Sequence, residues 1–333
     1  MNNSFQNNAS NKRYYSIDIV KGVLIILVII GHVLPGSIEG NPLRYFIYSF
    51  HMPVFIGVSG YLLNYQSLIN IGFFGILQKY KNRIIIPWIT ALSVYFVFHE
   101  VQRSEVNIIN DILDELFFPF YHLWFIPGFL TWVILARWIG RSEYFSNYFL
   151  FTAAILSFVT YVISKNVYTI DFIHQYKNSI RFMDETIRPY YFIFFVFGIK
   201  FKAIMAWFDG LGMGRRIIFT FLLIGLLMFN LSSVDVLKSI LYYFFNFVLI
   251  SWILYNIERG SFPSVYWIEW LGINSMGIYL WHVMPIIIIK YFFNFTDMLV
   301  YYSLMALALA GFFVAYFFLN RFKLFRRVLF GLS

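Results

Sequence analysis

The chain has 333 residues, of which 60% are hydrophobic and 12% are charged, and its formal net charge is +9. Soluble domains carry about 25% charged residues, so this composition excludes an ordinary soluble protein and predicts a polytopic membrane protein. Cysteine is absent, which excludes thiol chemistry, disulfides and thiolate metal sites. The basic balance is explained by Lys and Arg residues that set membrane topology, and nucleic acid is not a predicted partner.

Ten apolar segments, each predicted to be a transmembrane helix, follow a short polar start. They cover residues 15–35, 44–63, 84–99, 117–138, 144–163, 189–206, 215–231, 238–256, 273–293 and 299–320. We therefore expect an all-α protein of about ten transmembrane helices. Its predicted parts are a disordered cytoplasmic tail at 1–13, a single transmembrane domain at 14–320 and a basic cytoplasmic tail at 321–333.

The distribution of basic residues predicts the orientation of these segments. Lys and Arg favour one set of alternate loops by about two to one, which is the positive-inside pattern of membrane proteins. Both termini are accordingly expected on the cytoplasmic side of the cell membrane. The many Asn, Ile, Lys and Tyr residues indicate a bacterial source. The two longest outer loops, 100–116 and 164–188, are interpreted either as solvated caps or as a rim that binds a substrate.

The first predicted helix carries three ionisable residues, Asp18, Lys21 and His32. Lys21 and His32 are eleven residues apart, which at about 100° per residue places both within about 20° of one stripe. Asp18 precedes Lys21 by one turn and shares that stripe. Ionisable groups are costly in hydrocarbon, so the stripe should face a protein interior or a water-filled cavity.

Further histidines lie in other predicted helices. His51 is in the second, where it is expected to meet His32 at similar depth, and His122 begins the fourth. In the ninth, Ser275, Tyr279 and His282 fall on one helical stripe. Each histidine has a structural alternative, a hydrogen bond to a carbonyl of a neighbouring helix.

Metal ligation is not predicted, because no HxxxH or HxxE spacing is present. No role is assigned to His99 or His174. A neutral imidazole inside the membrane is a suitable general base for a hydroxyl that attacks an acyl carbonyl. Lys21 and Arg83 are suited to hold the phosphates of an anionic acyl donor. The absence of GxxxxGK and GxGxxG leaves nucleotide hydrolysis and a dinucleotide fold unsupported.

Four separated stretches carry a resemblance to a known family. They are DIVKGVLIILVIIGH with Lys21 and His32, FHMPVFIGVSG with His51, Pro53, Ser59 and Gly60, the pair RIIIPW and YHLWFI with Arg83, Pro87, His122 and Trp124, and LGINSMGIYLWH with Asn274, Ser275, Tyr279 and His282. In this order they resemble the acyltransferase-3 family of integral membrane acyltransferases. The branch they are most similar to contains fucose 4-O-acetylase-like and other sugar O-acetyltransferases.

The resemblance implies a fold of roughly ten helices and transfer of an acetyl or other short acyl group. The donor would be an acyl-CoA such as acetyl-CoA, a co-substrate rather than a permanently bound cofactor. The acceptor would be a sugar hydroxyl of a surface glycan or of its lipid-linked precursor. His32 takes the position of the family's essential histidine, and Lys21 takes the basic position linked with the donor, usually Arg.

Three groups of site residues follow from these observations. The predicted catalytic residues are His32, Asp18 and Lys21; the predicted acyl-CoA-binding residues are Lys21, Arg83, Ser59 and Ser275; the predicted acceptor-binding residues are His51, His122, Trp124, Tyr279 and His282. Direct transfer with His32 as general base and a covalent relay through His32 both fit this arrangement.

Two other classes of function fit the hydrophobic chain. A polar line through a helical bundle is also what a polysaccharide exporter or flippase would need. A structural subunit of a polysaccharide-synthesis complex would explain the hydrophobicity but not the alignment of Asp18, Lys21 and His32. The expected partners are the acyl-CoA, the sugar acceptor and membrane lipids, with polysaccharide-synthesis machinery as a further candidate.

Overall fold

The computed structural model describes residues 2–101, 108–141, 148–166, 177–210, 235–293 and 297–332. Within these ranges the protein is all-α and contains no β-strand. The helices are α1 (Asn2–Val33), α2 (Pro42–Tyr61), α3 (Tyr65–Asn70), α4 (Phe73–Tyr80), α5 (Ile86–Glu100), α6 (Ile108–Phe117), α7 (Phe125–Arg141), α8 (Phe149–Asn166), α9 (Lys177–Phe182), α10 (Phe192–Gly210), α11 (Asp235–Glu258), α12 (Tyr266–Ile273), α13 (Ser275–Trp281), α14 (Val283–Phe292), α15 (Met298–Leu319) and α16 (Lys323–Phe330).

Four stretches of the described chain are long and apolar enough to cross a membrane. They are Tyr15–Val33, Ile240–Glu258, Ser275–Phe292 and Met298–Leu319. The apolar part of α8, Phe149–Ser164, is shorter. The described residues are thus all-helical, and by length and composition four of the ten predicted membrane spans are found among them. The predicted segment 215–231 and His174 lie outside the described residues.

Two of the ten predicted segments, the fourth and the ninth, differ from the helices found in the structure. The fourth, 117–138, was predicted to be one continuous helix. Instead, residues 118–124 form a turn and α7 begins at Phe125. Pro127 then lies in the first helical turn, where the missing N–H breaks no hydrogen bond. The ninth, 273–293, is divided into α12, α13 and α14, with its breaks at Asn274 and His282.

Segments predicted as tails or loops contain helices as well. Helix α1 begins at Asn2, within the stretch 1–13 predicted as a disordered tail. Helix α6 lies in the predicted outer loop 100–116, and α9 lies in the predicted loop 164–188. Helix α16 forms most of the predicted basic tail. Hydropathy identifies apolar spans, whereas these short amphipathic helices depend on packing against the bundle.

Helix α2 begins with a conventional cap, which sets the position of its first turn. The side chain of Asn41 accepts a hydrogen bond of 3.1 Å from the backbone N–H of Arg44. Pro42 occupies the first helical position, where its fixed φ is already helical. The cap places Arg44 within one turn of the loop that leaves α1, beside the end of α1 that carries His32.

Close packing between α1 and α12 partly covers the polar stripe of α1. A Cβ atom on Gly272 of α12 would lie 1.8 Å from the carbonyl oxygen of Asp18, so only glycine permits this approach. Small residues allow helix backbones in membranes to approach in this way. The stripe containing Asp18 and Lys21 consequently faces protein, as its ionisable residues predict.

The C-terminal helix α16 folds back onto the bundle near Arg83. Phe330 is buried, and its ring centroid lies 4.1 Å from that of Tyr316. The indole N–H of Trp281 donates to the carbonyl of Leu329 at 2.9 Å. Gly331 ends the helix with φ +67°, and an added Cβ would lie 2.1 Å from the carbonyl oxygen of Arg83. The end of the described chain is therefore a packed wall of the bundle.

Candidate active site

Three histidines that are distant in sequence converge in the structure. His32 ends α1, His122 lies in the turn before α7, and His282 lies at the break between α13 and α14. Their ring centroids are 5.2 Å apart for His32 and His282, 5.3 Å for His122 and His282, and 6.1 Å for His32 and His122. His122 and His282 are buried, whereas His32 is half-buried. We call these three residues the histidine cluster.

The hydrogen bonds of the two buried histidines leave one ring nitrogen of each without a partner. Nδ1 of His282 lies 3.0 and 2.9 Å from the carbonyl oxygens of Ile278 and Tyr279, so it carries the proton and donates. Nε2 of His122 donates to the carbonyl of Leu280 at 3.2 Å. The remaining nitrogens, Nε2 of His282 and Nδ1 of His122, are buried without a hydrogen-bond partner among the described residues. Each neutral ring keeps a basic lone pair.

These contacts combine the two roles that the sequence left open for the histidines. One nitrogen of His122 bonds a carbonyl of a neighbouring helix, the structural role, and the other remains available for chemistry. In the part of the chain that the structure describes, no group of three His, Cys, Asp or Glu side chains is arranged to hold a metal ion.

His32 also contacts two tyrosines. The hydroxyl of Tyr48 lies 3.3 Å from Nδ1 of His32, and the ring of Tyr121 lies 5.1 Å from the imidazole. His51 was expected to meet His32, but Tyr48 lies between them, with its ring 4.9 Å from that of His51. Nδ1 of His51 donates to the carbonyl of Ile47 at 2.7 Å, so its contacts are those of a core histidine.

Two cations complete the surroundings of His32. Arg44 is buried and donates to the hydroxyl of Tyr121 at 3.0 Å and to the carbonyl of Gly36. Lys290, exposed at the end of α14, donates to the backbone carbonyl of His32 at 3.2 Å. We call His32, Tyr48, Tyr121, Arg44 and Lys290 the His32 vestibule. Of these five residues, His32 is the one for which the sequence predicted a role. Tyr121 was not predicted, although it adjoins His122 in the motif YHLWFI.

A cavity of about 320 Å³ lies toward the other end of α1. It is lined by all four residues that were predicted to bind the donor, namely Lys21, Ser59, Arg83 and Ser275. Lys79 and Asn64 add polar groups, and the other lining residues are mainly apolar, among them Phe330 and Leu332 beside α16. The structure thus brings residues of α1, α2, α13 and the segment before α5 into one site.

Lys21 is positioned in this cavity by Asp18. Its ammonium nitrogen lies 3.0 Å from a carboxylate oxygen of Asp18, one turn earlier in α1. The two side chains are 21% and 24% exposed, so the pair is neither fully solvated nor sealed. Asp18 therefore acts on the cavity through Lys21. It precedes His32 by fourteen residues of α1, which is about 21 Å along the helix, and it does not contact His32.

An aromatic layer separates the cavity from the histidine cluster. Tyr279 and Phe125 both line the cavity, and their ring centroids lie 5.7 Å apart. The Tyr279 ring is also 5.5 Å from His122 and 6.3 Å from His282, and its hydroxyl donates to the carbonyl of His122. One side chain thus borders both compartments. Tyr279 had been predicted to bind only the acceptor.

Trp124 is, like His51, a predicted site residue whose contacts lie in the core. It is buried, stacks on Tyr191 at 6.0 Å between centroids, and receives the guanidinium of Arg188 at 4.0 Å from its ring centre. These contacts fix the turn that leads into α7. The same turn contains His122, so Trp124 contributes to the site by holding the backbone that positions His122.

Comparison with known proteins identifies the family. A family model described as an acyltransferase domain, acyltransferase family 3, matches residues 14–318. Two curated relatives are each called nodulation protein NolL. The one from Sinorhizobium fredii is 28% identical over 162 residues, which cover 44% of this chain and 42% of the relative. The one from Mesorhizobium japonicum is 28% identical over 141 residues, which cover 38% of this chain and 36% of the relative.

The matches thus span less than half the length of these curated relatives. No solved structure matches the chain. The family match is longer than the matches to these relatives. It covers most of the chain and includes the histidine cluster, the His32 vestibule and the residues around Lys21. The chain therefore belongs to the acyltransferase-3 family.

Proposed function

We propose that the protein is an acyl-CoA-dependent O-acyltransferase of the cell membrane, which transfers an acetyl or other short acyl group to a sugar hydroxyl. One observation carries the proposal. The four residues predicted to bind the donor line a single cavity, and one aromatic layer separates that cavity from three clustered histidines.

The cavity has the chemistry that an acyl-CoA requires. Lys21, Lys79 and Arg83 supply positive charge for phosphates, and charge-assisted hydrogen bonds to phosphate are among the stronger ones in proteins. The apolar lining suits the acyl chain and the arm that joins it to the phosphates. Lys21 and His32 are about 16 Å apart along α1, a separation that only a donor with an extended arm bridges. Its phosphates would then lie on the cytoplasmic side.

His32 is the residue that we assign to the chemical step. As a general base, its imidazole takes the proton of the sugar hydroxyl while the oxygen attacks the thioester carbonyl. The tetrahedral intermediate then expels the CoA thiolate, which accepts a proton from the imidazolium. In the covalent alternative, the His32 imidazole attacks the thioester and the CoA thiolate leaves, and the sugar hydroxyl then attacks the acyl-imidazole. In this second route, the unpartnered nitrogen of His122 or His282 accepts the hydroxyl proton, and the His32 imidazole is released when the acyl group moves to the sugar.

The acceptor approaches His32 from the vestibule, opposite the donor cavity. A surface glycan or its lipid-linked precursor is the proposed acceptor, and the machinery that makes the polysaccharide is the proposed partner. An exporter or flippase would also have one compartment at each end of the bundle. Membership of an acyltransferase family favours transfer over transport.

The test uses purified protein in nanodiscs with radiolabelled acetyl-CoA and a panel of glycans. We expect wild-type protein to transfer label and His32→Ala to lose about 100- to 10,000-fold in rate, the usual contribution of a general base. His99→Ala is the matched control, because His99 is half-buried at the end of α5 and lies outside the site.

Two results would contradict the proposal in different ways. Wild-type rates in His32→Ala would remove His32 from the chemical step. Failure of wild-type protein to label any glycan, while its size-exclusion profile and thermal unfolding show a folded sample, would contradict acetyl transfer to sugars.

A further inference from the structure

The His32 vestibule contains more positive charge than its contacts compensate. Arg44 and Lys290 each carry a full positive charge, and in the described part of the chain neither forms an ion pair with a carboxylate. Glu39, the acid in the loop between α1 and α2, pairs with neither of them. Their hydrogen-bond partners are backbone carbonyls and a tyrosine hydroxyl, all of which are neutral.

The end of α1 offsets only part of this charge. Carbonyls at a helix C-terminus carry a partial charge of about −0.5 in total, against two full positive charges. About one and a half positive charges therefore remain beside His32. A buried charge without a counter-charge is unfavourable in a low-dielectric site, so the vestibule is electrostatically suited to an anion.

Arg44 has an unused donor. The residue is 9% exposed, and its Nε is buried without a hydrogen-bond partner among the described residues. A buried guanidinium that leaves a donor unpaired loses the free energy of that hydrogen bond. The planar guanidinium best matches acceptors that present two oxygens side by side, such as carboxylate and phosphate.

Backbone strain marks the same place. Tyr121 has φ +38°, which is rare for a residue with a side chain, and the residue is 55% exposed. Such strain persists where surrounding contacts hold it, and it concentrates at binding and catalytic sites. Here it holds an exposed ring 5.1 Å from His32 while its hydroxyl accepts from Arg44. An aromatic face next to a cation is suited to a sugar that carries a negative group.

We propose that the His32 vestibule binds an oxyanion of the acceptor, so that the enzyme acylates sugars that bear a phosphate or carboxylate in preference to neutral sugars. The inference rests on the proposed function and specifies its acceptor. Arg44 and Lys290 hold the negative group, the tyrosine rings contact the sugar, and a hydroxyl of that sugar faces His32. Neither cation takes part in bond making, so both act on acceptor binding.

The test measures acetyl transfer from radiolabelled acetyl-CoA to matched forms of several hexoses. The forms are the neutral methyl glycoside, the sugar 1-phosphate, the polyprenyl phosphate-linked sugar and the methyl glycoside of the uronic acid. For wild-type protein we expect a KM at least tenfold lower for an anionic form than for the neutral one. Comparing the three anionic forms distinguishes a free phosphate, a lipid-linked phosphate and a carboxylate.

Variants of the two cations attribute the preference to the vestibule. Lys290→Gln and Arg44→Gln should each raise the KM of the anionic acceptor about tenfold relative to that of the neutral acceptor, so that the preference for the anionic form is reduced or lost. Arg44→Lys keeps the charge and should retain part of the preference, which guards against a loss of folding in Arg44→Gln. Arg259→Gln is the control, because Arg259 follows α11 and packs on Tyr255, outside the site.

The outcomes separate the inference from the function on which it rests. Equal KM values for neutral and anionic forms, or a preference that survives in both glutamine variants, would overturn the anionic acceptor while transfer itself stands. Absence of transfer to every form by folded wild-type protein would overturn the proposed function instead.

Discussion

At the scale of single residues, the site joins residues that sequence spacing predicts with residues that it does not. The eleven-residue spacing of Lys21 and His32 places both on one face of α1, because helical periodicity depends only on the local chain. Tyr48 and Tyr121 reach His32 through the packing of α2 and through a strained turn. Their positions depend on tertiary contacts, which a chain with 23% aromatic residues does not distinguish by composition.

Tyr48 supports the first residue-scale prediction. Its hydroxyl is the side-chain hydrogen-bond partner of the His32 ring in the described structure, at 3.3 Å from Nδ1. Tyr48→Phe should therefore lower kcat about tenfold with little change in KM. A neutral hydrogen bond contributes about 0.5–1.5 kcal/mol, and about 1.4 kcal/mol corresponds to a tenfold change in rate.

Steady-state kinetics of acetyl transfer measures this effect. The control is Tyr302→Phe, since Tyr302 lies on α15 with 42% of its surface exposed and contacts Tyr301 rather than the site. A Tyr48→Phe enzyme with unchanged kcat would show that the hydroxyl does not orient His32 during turnover.

At the scale of elements, the C-terminal helix is the part whose position sequence reasoning did not anticipate. The stretch 321–333 reads as a basic tail because four cations interrupt its apolar residues. In the structure, the C-terminal end of α16 packs on the bundle, where Phe330 is buried, and Phe330, Gly331 and Leu332 line the cavity that contains Lys21. Eight residues form no stable helix alone, so the element exists because of contacts that no local pattern reveals.

Gly331→Ala tests whether this docked helix is part of the donor site. The added Cβ would lie 2.1 Å from the carbonyl oxygen of Arg83. In addition, the left-handed conformation of Gly331, with φ +67°, is unfavourable for alanine by about 1 kcal/mol or more. The contact between α16 and Arg83 must then open, which removes one wall of the cavity. We expect the KM for acetyl-CoA to rise at least threefold with a smaller change in kcat, as when ground-state binding is lost.

Gly311→Ala is the matched control for this prediction. It makes the same substitution in α15, where an added Cβ meets open space. Alanine is also a better helix former than glycine. Its KM for acetyl-CoA should equal that of the wild-type protein. A Gly331→Ala enzyme with the same KM as Gly311→Ala would mean that the wall contributed by α16 does not contact the donor.

At the scale of the whole molecule, hydropathy predicted the helical class, and four residues that the motifs singled out, Lys21, Ser59, Arg83 and Ser275, line one cavity. Neither hydropathy nor the motifs predicted the division of the ninth segment at Asn274 and His282, or the start of α7 at Phe125. Each break delivers a functional group, since His282 lies at one and His122 precedes the other. Interrupted helices are tolerated where protein or a cavity satisfies the freed backbone groups, and these partners come from distant parts of the chain.

The arrangement of the two compartments leads to a prediction about sidedness. Lys21, Arg83 and Leu332 line one cavity, so the Lys21 end of α1 and the C-terminal helix lie at the same end of the molecule. The loop between α1 and α2 follows the opposite end of α1. An acyl-CoA donor is made in the cytoplasm, so our proposal requires the Lys21 end to face the cytoplasm and the loop to face outward.

The natural chain contains no cysteine, so single cysteines report sidedness without background. We expect Glu39→Cys, in the exposed loop after α1, to react with a membrane-impermeant maleimide in intact cells. Leu324→Cys, at a position 68% exposed on α16, should react only after the membrane is permeabilised. Both variants must keep wild-type transfer activity for the comparison to hold. Reaction of Leu324→Cys in intact cells, with protection of Glu39→Cys, would place the donor cavity outside and rule out a cytoplasmic acyl-CoA as its ligand.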